Sequence, residues 1–172
     1  WKNKKTNLRQ YRTCLIILGR KNGKTTLTAG IALYMLFADN ERGSEIYAAA
    51  GDRNQAGLVH EIAKGMILNN PELTARSKIL RNSIVNESKG NYFQAISSDS
   101  KTKHGFNANC VIFDELHTQK NRDLWDTLLT STGSRRQPLV VAITTAGYDK
   151  QSICYEVYSY AKKVIDGSIK DE

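Results

Sequence analysis

Residues 19 to 26 combine glycines, cations and hydroxyls at a spacing suited to binding phosphate groups. Their sequence is Gly19-Arg20-Lys21-Asn22-Gly23-Lys24-Thr25-Thr26. A phosphate-binding loop needs small residues that let backbone N–H groups face the oxygens, a lysine for the β- and γ-phosphates and a hydroxyl for Mg²⁺. Gly23, Lys24 and Thr25 supply these parts, although Leu18 stands where the usual pattern has its first glycine. We therefore predict a nucleotide-binding loop of unusual spacing; the alternative is a glycine turn with an incidental lysine.

Two acidic residues, Asp114 and Glu115, directly follow the apolar run 110–113. Hydrolysis of a phosphoanhydride needs a metal ion to neutralise charge and a group that orients the attacking water. Adjacent residues at the end of a strand point in different directions, so Asp114 can hold Mg²⁺ while Glu115 reaches the water. A surface Asp-Glu pair is the alternative interpretation.

Three further polar residues, one shortly after the carboxylates and two at the end of another apolar run, could contribute to a site. His117 could be considered as a zinc ligand with His104 and Cys110, but this spacing matches no standard zinc site, which favours an ordinary loop histidine. Thr144 and Thr145 follow another apolar run. Their hydroxyls can contact a γ-phosphate and report its loss, or they can satisfy backbone groups at a turn. The sequence leaves both options open for the threonines.

The elements that must position these residues alternate along the chain. Short apolar runs predict buried strands at 13–18, 46–50, 110–113 and 139–143. Helical spacing predicts helices at 27–38, 54–69 and 152–166, the second closed by Pro71 and the third by Gly167. The expected buried stripe of the last helix is Ile153, Val157, Tyr160, Ala161, Val164 and Ile165.

The region 78–97 has a shorter, alternating pattern that predicts small antiparallel strands. Strands followed by helices elsewhere predict the α/β class, a three-layer sandwich with a mainly parallel central sheet. Open parallel sheets bind ligands at the carboxyl ends of their strands. The phosphate loop, the carboxylates and the threonines all follow predicted strands, so we expect them to meet around one triphosphate.

Length and composition bound the possibilities. The 172 residues, 40% hydrophobic and 24% charged, suit one folded domain. No apolar run approaches the roughly 18 residues that cross a bilayer, which favours a soluble, intracellular protein with no membrane partner. The three cysteines are widely spaced and indicate no disulfide framework. Cys14 and Cys110 lie within apolar runs and are expected in the core.

The net charge of +8 arises at the N-terminus, because the first acidic residue is Asp39. The cations before it are Lys2, Lys4, Lys5, Arg9, Arg12, Arg20, Lys21 and Lys24. A local positive field suits nucleotide phosphates or a nucleic-acid backbone. For residues 2–12, a solvated basic tail is an equally good interpretation.

Taken together, these motifs resemble the ATPase domain of the large terminase subunit of tailed phages, the motor that packages DNA. The resemblance is carried by residues 20–25 as a deviant Walker A loop, 111–117 as Walker B and 143–147 (Ile-Thr-Thr-Ala-Gly) as a coupling motif. The segments 49–56 and 133–139 add to it. It implies a P-loop NTPase fold of the type with an additional strand and a catalytic glutamate.

The resemblance also implies roles for individual residues. Lys24 and Thr25 would bind phosphates and Mg²⁺, Asp114 would hold Mg²⁺, Glu115 would activate water, and Thr144 and Thr145 would couple hydrolysis to DNA movement. Arg20 matches an arginine that acts on the γ-phosphate. Some members take an arginine from a neighbouring subunit, supplied before Walker B. Residues 101–105 hold no arginine here, so Arg135 or Arg136 is a possible substitute.

The implied ligands and partners are ATP, Mg²⁺, double-stranded DNA, other large subunits in a ring, the small terminase subunit and the portal protein, in the cytoplasm of a bacterial host. An adenine-contacting segment would lie upstream of Trp1 and a nuclease domain downstream of Glu172, so we expect residues 1–172 to be one ATPase domain of a longer protein. Two alternatives remain: a DExH-type helicase, since 114–117 reads Asp-Glu-Leu-His, or a non-catalytic nucleotide- or DNA-binding remnant.

Overall fold

The computed structural model describes residues 2–39, 41–97, 105–119, 121–145, 147 and 149–170. The strands of these residues are β1 (Thr13–Ile17), β2 (Glu45–Ala50), β3 (Lys78–Ile79), β4 (Ser83–Asn86), β5 (Asn91–Ser97), β6 (Ala108–Asp114) and β7 (Leu139–Thr144). The helices are α1 (Lys24–Phe37), α2 (Arg53–Leu68), α3 (Pro71–Ala75), α4 (Asp123–Ser131) and α5 (Ile153–Ile165), with a 3₁₀ turn at Leu116–Thr118.

The strands form one sheet in the order β1-β7-β6-β2-β5-β4-β3. Neighbours from β1 to β5 run parallel, whereas β4 and β3 are antiparallel. Strand β7 therefore separates the strand that enters the glycine loop from the strand that carries the carboxylates. This is the additional strand expected of the fold, and the mainly parallel sheet is confirmed.

Helices cover both faces of the sheet. On one face α1 and α2 pack against β2, β5 and β6 through residues such as Ala32, Val59 and Ile112. On the other face α4, α5 and the 3₁₀ turn pack against β6 and β7 through Trp125, Phe113 and Cys154. Parallel strands buried on both faces account for the continuous apolar runs of β2 and β6. The three-layer arrangement is confirmed.

Two expectations about burial are wrong. Strand β1 is an edge strand of the described sheet, because it pairs with β7 on one side only. Three of its residues are therefore exposed: Thr13, Cys14 and Ile17. Cys14 is therefore not a core residue, whereas Cys110 is fully buried. In α5 the amino-terminal residue Ile153 is buried, but Tyr160 and Ile165 are exposed.

The remaining differences concern short elements. Helix α4 was not predicted, and Pro71 begins the short helix α3 as well as following α2. In the region of small strands, only β3 and β4 are antiparallel additions, while β5 pairs in parallel with β2 and joins the main sheet. Within the part of the chain that the structure describes, no helix combines the length and the apolarity needed to cross a bilayer.

Candidate active site

The glycine loop turns the chain from β1 into α1 at the carboxyl edge of the sheet. Gly23 immediately precedes the helix and has φ +69°, a left-handed conformation that glycine adopts without a Cβ clash. Among the described residues no side chain caps the N-terminus of α1, and the first turn of this helix holds no acidic residue. The first backbone N–H groups and the positive end of the helix dipole are thus available to an anion.

Lys24 occupies the first turn of α1 and is almost completely buried. Its Nζ donates to the carbonyl oxygen of Gly19 at 3.1 Å and lies 3.3 Å from Oε1 of Glu115. The ammonium group therefore lies between the start of the glycine loop and the carboxylate of Glu115. A buried lysine held by one carbonyl and one carboxylate can transfer to a stronger anion such as a phosphate.

Asp114 ends β6 and has no solvent exposure. Its Oδ2 accepts a hydrogen bond from Nε2 of Gln55 at 2.9 Å, whereas Oδ1 is buried without a hydrogen-bond partner among the described residues. Burial raises the pKa of this carboxyl, opposed by Gln55, Thr25 and Lys24 and reinforced by the neighbouring Glu115. Ionised Asp114 therefore costs folding free energy, and its Oδ1 has no hydrogen-bond partner among the described residues.

An unpartnered carboxylate oxygen next to the hydroxyl of Thr25 fits Mg²⁺. This ion prefers hard oxygen ligands and usually takes only one or two protein groups, with waters and phosphate oxygens completing its shell. Asp114 and Thr25 are the residues of this chain that would hold it.

Glu115 follows Asp114 in a left-handed backbone conformation, with φ +55° and ψ +59°. A non-glycine residue adopts this conformation at a cost of about 1 kcal/mol or more, and such residues cluster at functional sites. The side chain of Glu115 contacts both α1 and the end of β7. Its Oε1 faces Lys24, and its Oε2 accepts from the backbone N–H of Thr145 at 3.3 Å.

The threonines at the end of β7 complete the same edge. Thr144 is buried, and its hydroxyl donates to the carbonyl oxygen of Thr145 at 2.9 Å. The hydroxyl of Thr145 lies 3.4 Å from Nδ1 of His117. The bond from Thr144 to a backbone carbonyl is the kind expected if the hydroxyls only satisfy backbone groups at a turn. The backbone N–H of Thr145 nevertheless connects the threonines directly to the Glu115 carboxylate.

The glycine loop, the carboxylate pair and the threonine pair therefore meet at one edge of the sheet, as the sequence predicts. Lys24, Thr25, Asp114, Glu115 and Thr145 lie in one contact network. The other loop residues, Arg20, Lys21, Asn22, Gly23 and Thr26, are exposed at its rim. The roles assigned to these residues stay predictions.

Two residues of this network were missed as site residues. Gln55 lies in the first turn of α2, where Asp52 caps the helix by accepting from the N–H groups of Asn54 and Gln55 at 2.8 and 3.0 Å. His117, interpreted as an ordinary loop histidine, contacts the Glu115 carboxylate. The signal for Gln55 was the segment 49–56, which carried part of the resemblance without any assigned role.

Arg135 and Arg136, the two candidates for an arginine supplied to a neighbouring subunit, have different surroundings. Residues 101–104 lie outside the described residues. The guanidinium of Arg135 donates to the carbonyl oxygens of Asn107 and Gly43 and pairs with Glu41 at 3.7 Å. These partners precede β6 and β2, at the amino edge of the sheet. The Arg135 guanidinium is therefore engaged within its own chain, whereas Arg136 is exposed, and the role of either arginine stays a prediction.

A family model described as terminase large subunit, ATPase domain, matches residues 1–163 of the chain. The chain belongs to this family. The terminase large subunit of Enterobacteria phage HK97 is 29% identical over 136 residues, which is 76% of this chain and 27% of that protein. The crystal structure of the HK97 large terminase superposes with a TM-score of 0.81 at 25% identity, covering 91% of this chain and 33% of that one.

Two further relatives extend the comparison. The protein YmfN of Escherichia coli K12 is 38% identical over 68 residues, 40% of this chain and 15% of that protein. The large terminase of a thermophilic bacteriophage, solved in complex with ATP-gamma-S, matches with a TM-score of 0.51 at 17% identity, covering 77% of this chain and 32% of that one. The chain thus spans a third or less of the length of these relatives.

Proposed function

We propose that this chain hydrolyses ATP and that hydrolysis drives double-stranded DNA into a phage prohead. The observation that carries the proposal is the 3.3 Å contact between Nζ of Lys24 and Oε1 of Glu115, beside Asp114 and Thr25. Membership of the terminase ATPase family supports the same conclusion. The terminase of the thermophilic bacteriophage, solved with ATP-gamma-S, supports a nucleoside triphosphate as the ligand.

In this proposal the phosphates lie against the N-terminus of α1. Backbone N–H groups of the loop and Lys24 bind the β- and γ-phosphates, and the exposed Arg20 reaches the γ-phosphate from the rim. Thr25 and Asp114 hold Mg²⁺, which neutralises charge on the phosphate oxygens.

Glu115 is the group that orients the attacking water. Lys24 moves from Glu115 to the phosphates when nucleotide binds, and this movement frees Oε1 to accept a hydrogen bond from water. Thr144 and Thr145, which touch Glu115 and its neighbour His117, couple the chemistry to movement of the rest of the motor.

The motor acts with partners that the family role requires. These are other large subunits in a ring, the small terminase subunit and the portal protein, and the site of action is the cytoplasm of the bacterial host. Arg136, the exposed member of the pair 135–136, is the candidate of this chain for an arginine that acts on a neighbouring subunit.

Nucleotide binding is tested with Lys24→Ala. Loss of a buried charge that contacts phosphate is expected to raise the Kd for Mg-ATP about 100-fold, measured by isothermal titration calorimetry. Lys64→Ala, which removes a partly exposed lysine of α2, is the matched control and is expected to leave the Kd unchanged. Equal affinities for Lys24→Ala and the unsubstituted chain would contradict the proposed site.

Turnover is tested with Glu115→Gln under single-turnover conditions, with the chain in excess over labelled ATP so that slow hydrolysis is measurable. The variant is expected to bind Mg-ATP and to lose hydrolysis by about 10²- to 10⁴-fold, because glutamine cannot accept the proton of the water. An undiminished rate would remove Glu115 from the mechanism, and a chain that binds ATP but never hydrolyses it would be a non-catalytic remnant.

A further inference from the structure

His117 lies in the 3₁₀ turn that follows the carboxylate tip and contacts both sides of the site. Its Nδ1 is 3.3 Å from Oε2 of Glu115 and 3.0 Å from the hydroxyl oxygen of Thr144. The backbone N–H of His117 also donates to the same Thr144 oxygen, at 3.3 Å. The imidazole thus bridges the water-orienting carboxylate on β6 and the threonine pair on β7.

Hydrogen-bond chemistry assigns the proton in this bridge. In the 2.9 Å contact between the Thr144 hydroxyl and the Thr145 carbonyl, the hydroxyl is the donor, because a carbonyl oxygen only accepts. With the hydroxyl hydrogen on this carbonyl, the Thr144 oxygen accepts from His117, which corresponds to the tautomer with a hydrogen on Nδ1. In that tautomer the N–H lies near three possible acceptors, namely Oε2 of Glu115 and the hydroxyl oxygens of Thr144 and Thr145, the last at 3.4 Å.

The two oxygens of Glu115 have different partners. Oε1 is paired with Lys24, which nucleotide phosphates would withdraw, whereas Oε2 is held by His117 and by the N–H of Thr145. After Lys24 leaves, the remaining partners of Glu115 among these contacts are those that connect it to the tip of β7.

We propose that His117 is a positioning residue that fixes the orientation of Glu115 relative to Thr144, so that movement of the β7 tip and activation of water occur together. This inference rests on the proposed ATPase function. His117 touches neither nucleotide nor water in this scheme and acts through the Glu115 carboxylate.

The test compares three substitutions of His117. The amide nitrogen of asparagine can take the position of Nδ1, the longer glutamine amide falls nearer Nε2, and alanine has no donor. Measurements on the complete chain are the single-turnover rate of ATP hydrolysis, the Kd for ATP-gamma-S and the unfolding temperature.

We expect His117→Ala and His117→Gln to lower the rate about 10- to 100-fold with less than a threefold change in Kd, and His117→Asn to recover most of the rate. In a Glu115→Gln background, His117→Ala is expected to cause no further loss, because its effect passes through the carboxylate. The unfolding temperature of each variant shows whether a lower rate comes with a loss of folding stability.

Three outcomes would overturn the role of His117: an unchanged rate in His117→Ala, equal rates for the asparagine and glutamine variants, or a further rate loss in the Glu115→Gln background. A parallel fall in rate, affinity and unfolding temperature would show a merely structural histidine. Absence of hydrolysis by the unsubstituted chain would contradict the proposed function itself, which separates the two failures.

Discussion

At the scale of single residues, two adjacent carboxylates have different environments because the backbone turns between them. Asp114 is the last residue of a strand buried on both faces, whereas Glu115 has a left-handed conformation and is partly exposed. Burial raises the pKa of Asp114 above its ordinary value. The residue proposed to hold Mg²⁺ is therefore the one whose ionisation costs folding stability, and the residue proposed to orient water is partly exposed.

Asp114→Asn is expected to stabilise the empty protein while weakening Mg²⁺-dependent ATP binding. The asparagine retains an acceptor for Gln55 and removes a buried charge, a change of about 1 kcal/mol, or roughly 2–4 °C in unfolding temperature. Calorimetry with and without Mg-ATP measures both effects.

The stability difference between the two proteins depends on pH in a defined direction. The carboxyl of Asp114 has a higher pKa in the folded than in the unfolded chain, so its ionisation destabilises the fold as pH rises above the unfolded value of about 4. The advantage of asparagine should therefore be small in acid and grow toward neutral pH. An advantage that shrinks as pH rises would contradict the assigned pKa direction.

At the scale of elements, the site depends on a close crossing between the end of β2 and the 3₁₀ turn. A Cβ added to Gly51 would lie 2.5 Å from the Thr118 hydroxyl oxygen and 2.8 Å from its carbonyl oxygen. Thr118 is tied to the carbonyl of Glu115 through both its N–H and its hydroxyl, each at 2.8 Å. Gly51 thus allows the turn that orients Glu115 to pack against the start of α2.

Gly51→Ala is expected to displace this turn, lowering stability by about 1–3 kcal/mol and slowing ATP hydrolysis more than ATP binding. Gly57→Ala is the matched control, since its Cβ meets nothing within 4 Å and it lies on an exposed face of α2. Alanine there should raise stability by about 0.5–1 kcal/mol. Denaturant titrations and single-turnover rates distinguish the pair, and a harmless Gly51→Ala would show that the crossing is loose.

At the scale of the whole molecule, the two edges of the sheet have different contents. The carboxyl edge holds the glycine loop, the carboxylates and the threonines. The amino edge holds the anchored N-terminal segment, where Arg9 pairs with Asp39 at 3.0 Å and donates to the carbonyl of Gln137. Lys2 and Arg9 form a β-bridge, and Lys2, Lys4 and Lys5 remain exposed. The basic segment is therefore folded against the domain and carries several exposed lysines.

The exposed N-terminal lysines are expected to contact DNA phosphates without sequence preference. Affinity for duplex DNA should fall steeply with salt, and replacing Lys2, Lys4 and Lys5 by alanine should reduce the slope of log K against log salt by up to about 3. Replacing Lys162, Lys163 and Lys170 changes the net charge equally and is the control. Fluorescence anisotropy at several salt concentrations measures both, and equal slopes for the two triple variants would leave the N-terminal lysines as a solvated surface.

Much of the architecture and the site followed from the sequence because the relevant physics is local. Apolar runs that end in Asp114-Glu115 and in Thr144-Thr145, with a glycine loop between a strand and a helix, predict parallel strands whose polar tips share an edge. Helical periodicity located α1, α2 and α5, because the buried stripe of a helix repeats along the chain.

The tertiary structure decided what depends on contacts between distant residues. An apolar run is the same in an edge strand and in a central strand, so the exposure of β1 and Cys14 depended on the sheet order. Gln55 pairs with Asp114, and Arg135 donates to the carbonyl oxygen of Gly43, across long separations in sequence. The contact of His117 with Glu115 depends on the left-handed backbone at Glu115. Residue types and spacing therefore determined the chemistry available to this chain, and packing determined which side chains hold that chemistry in place.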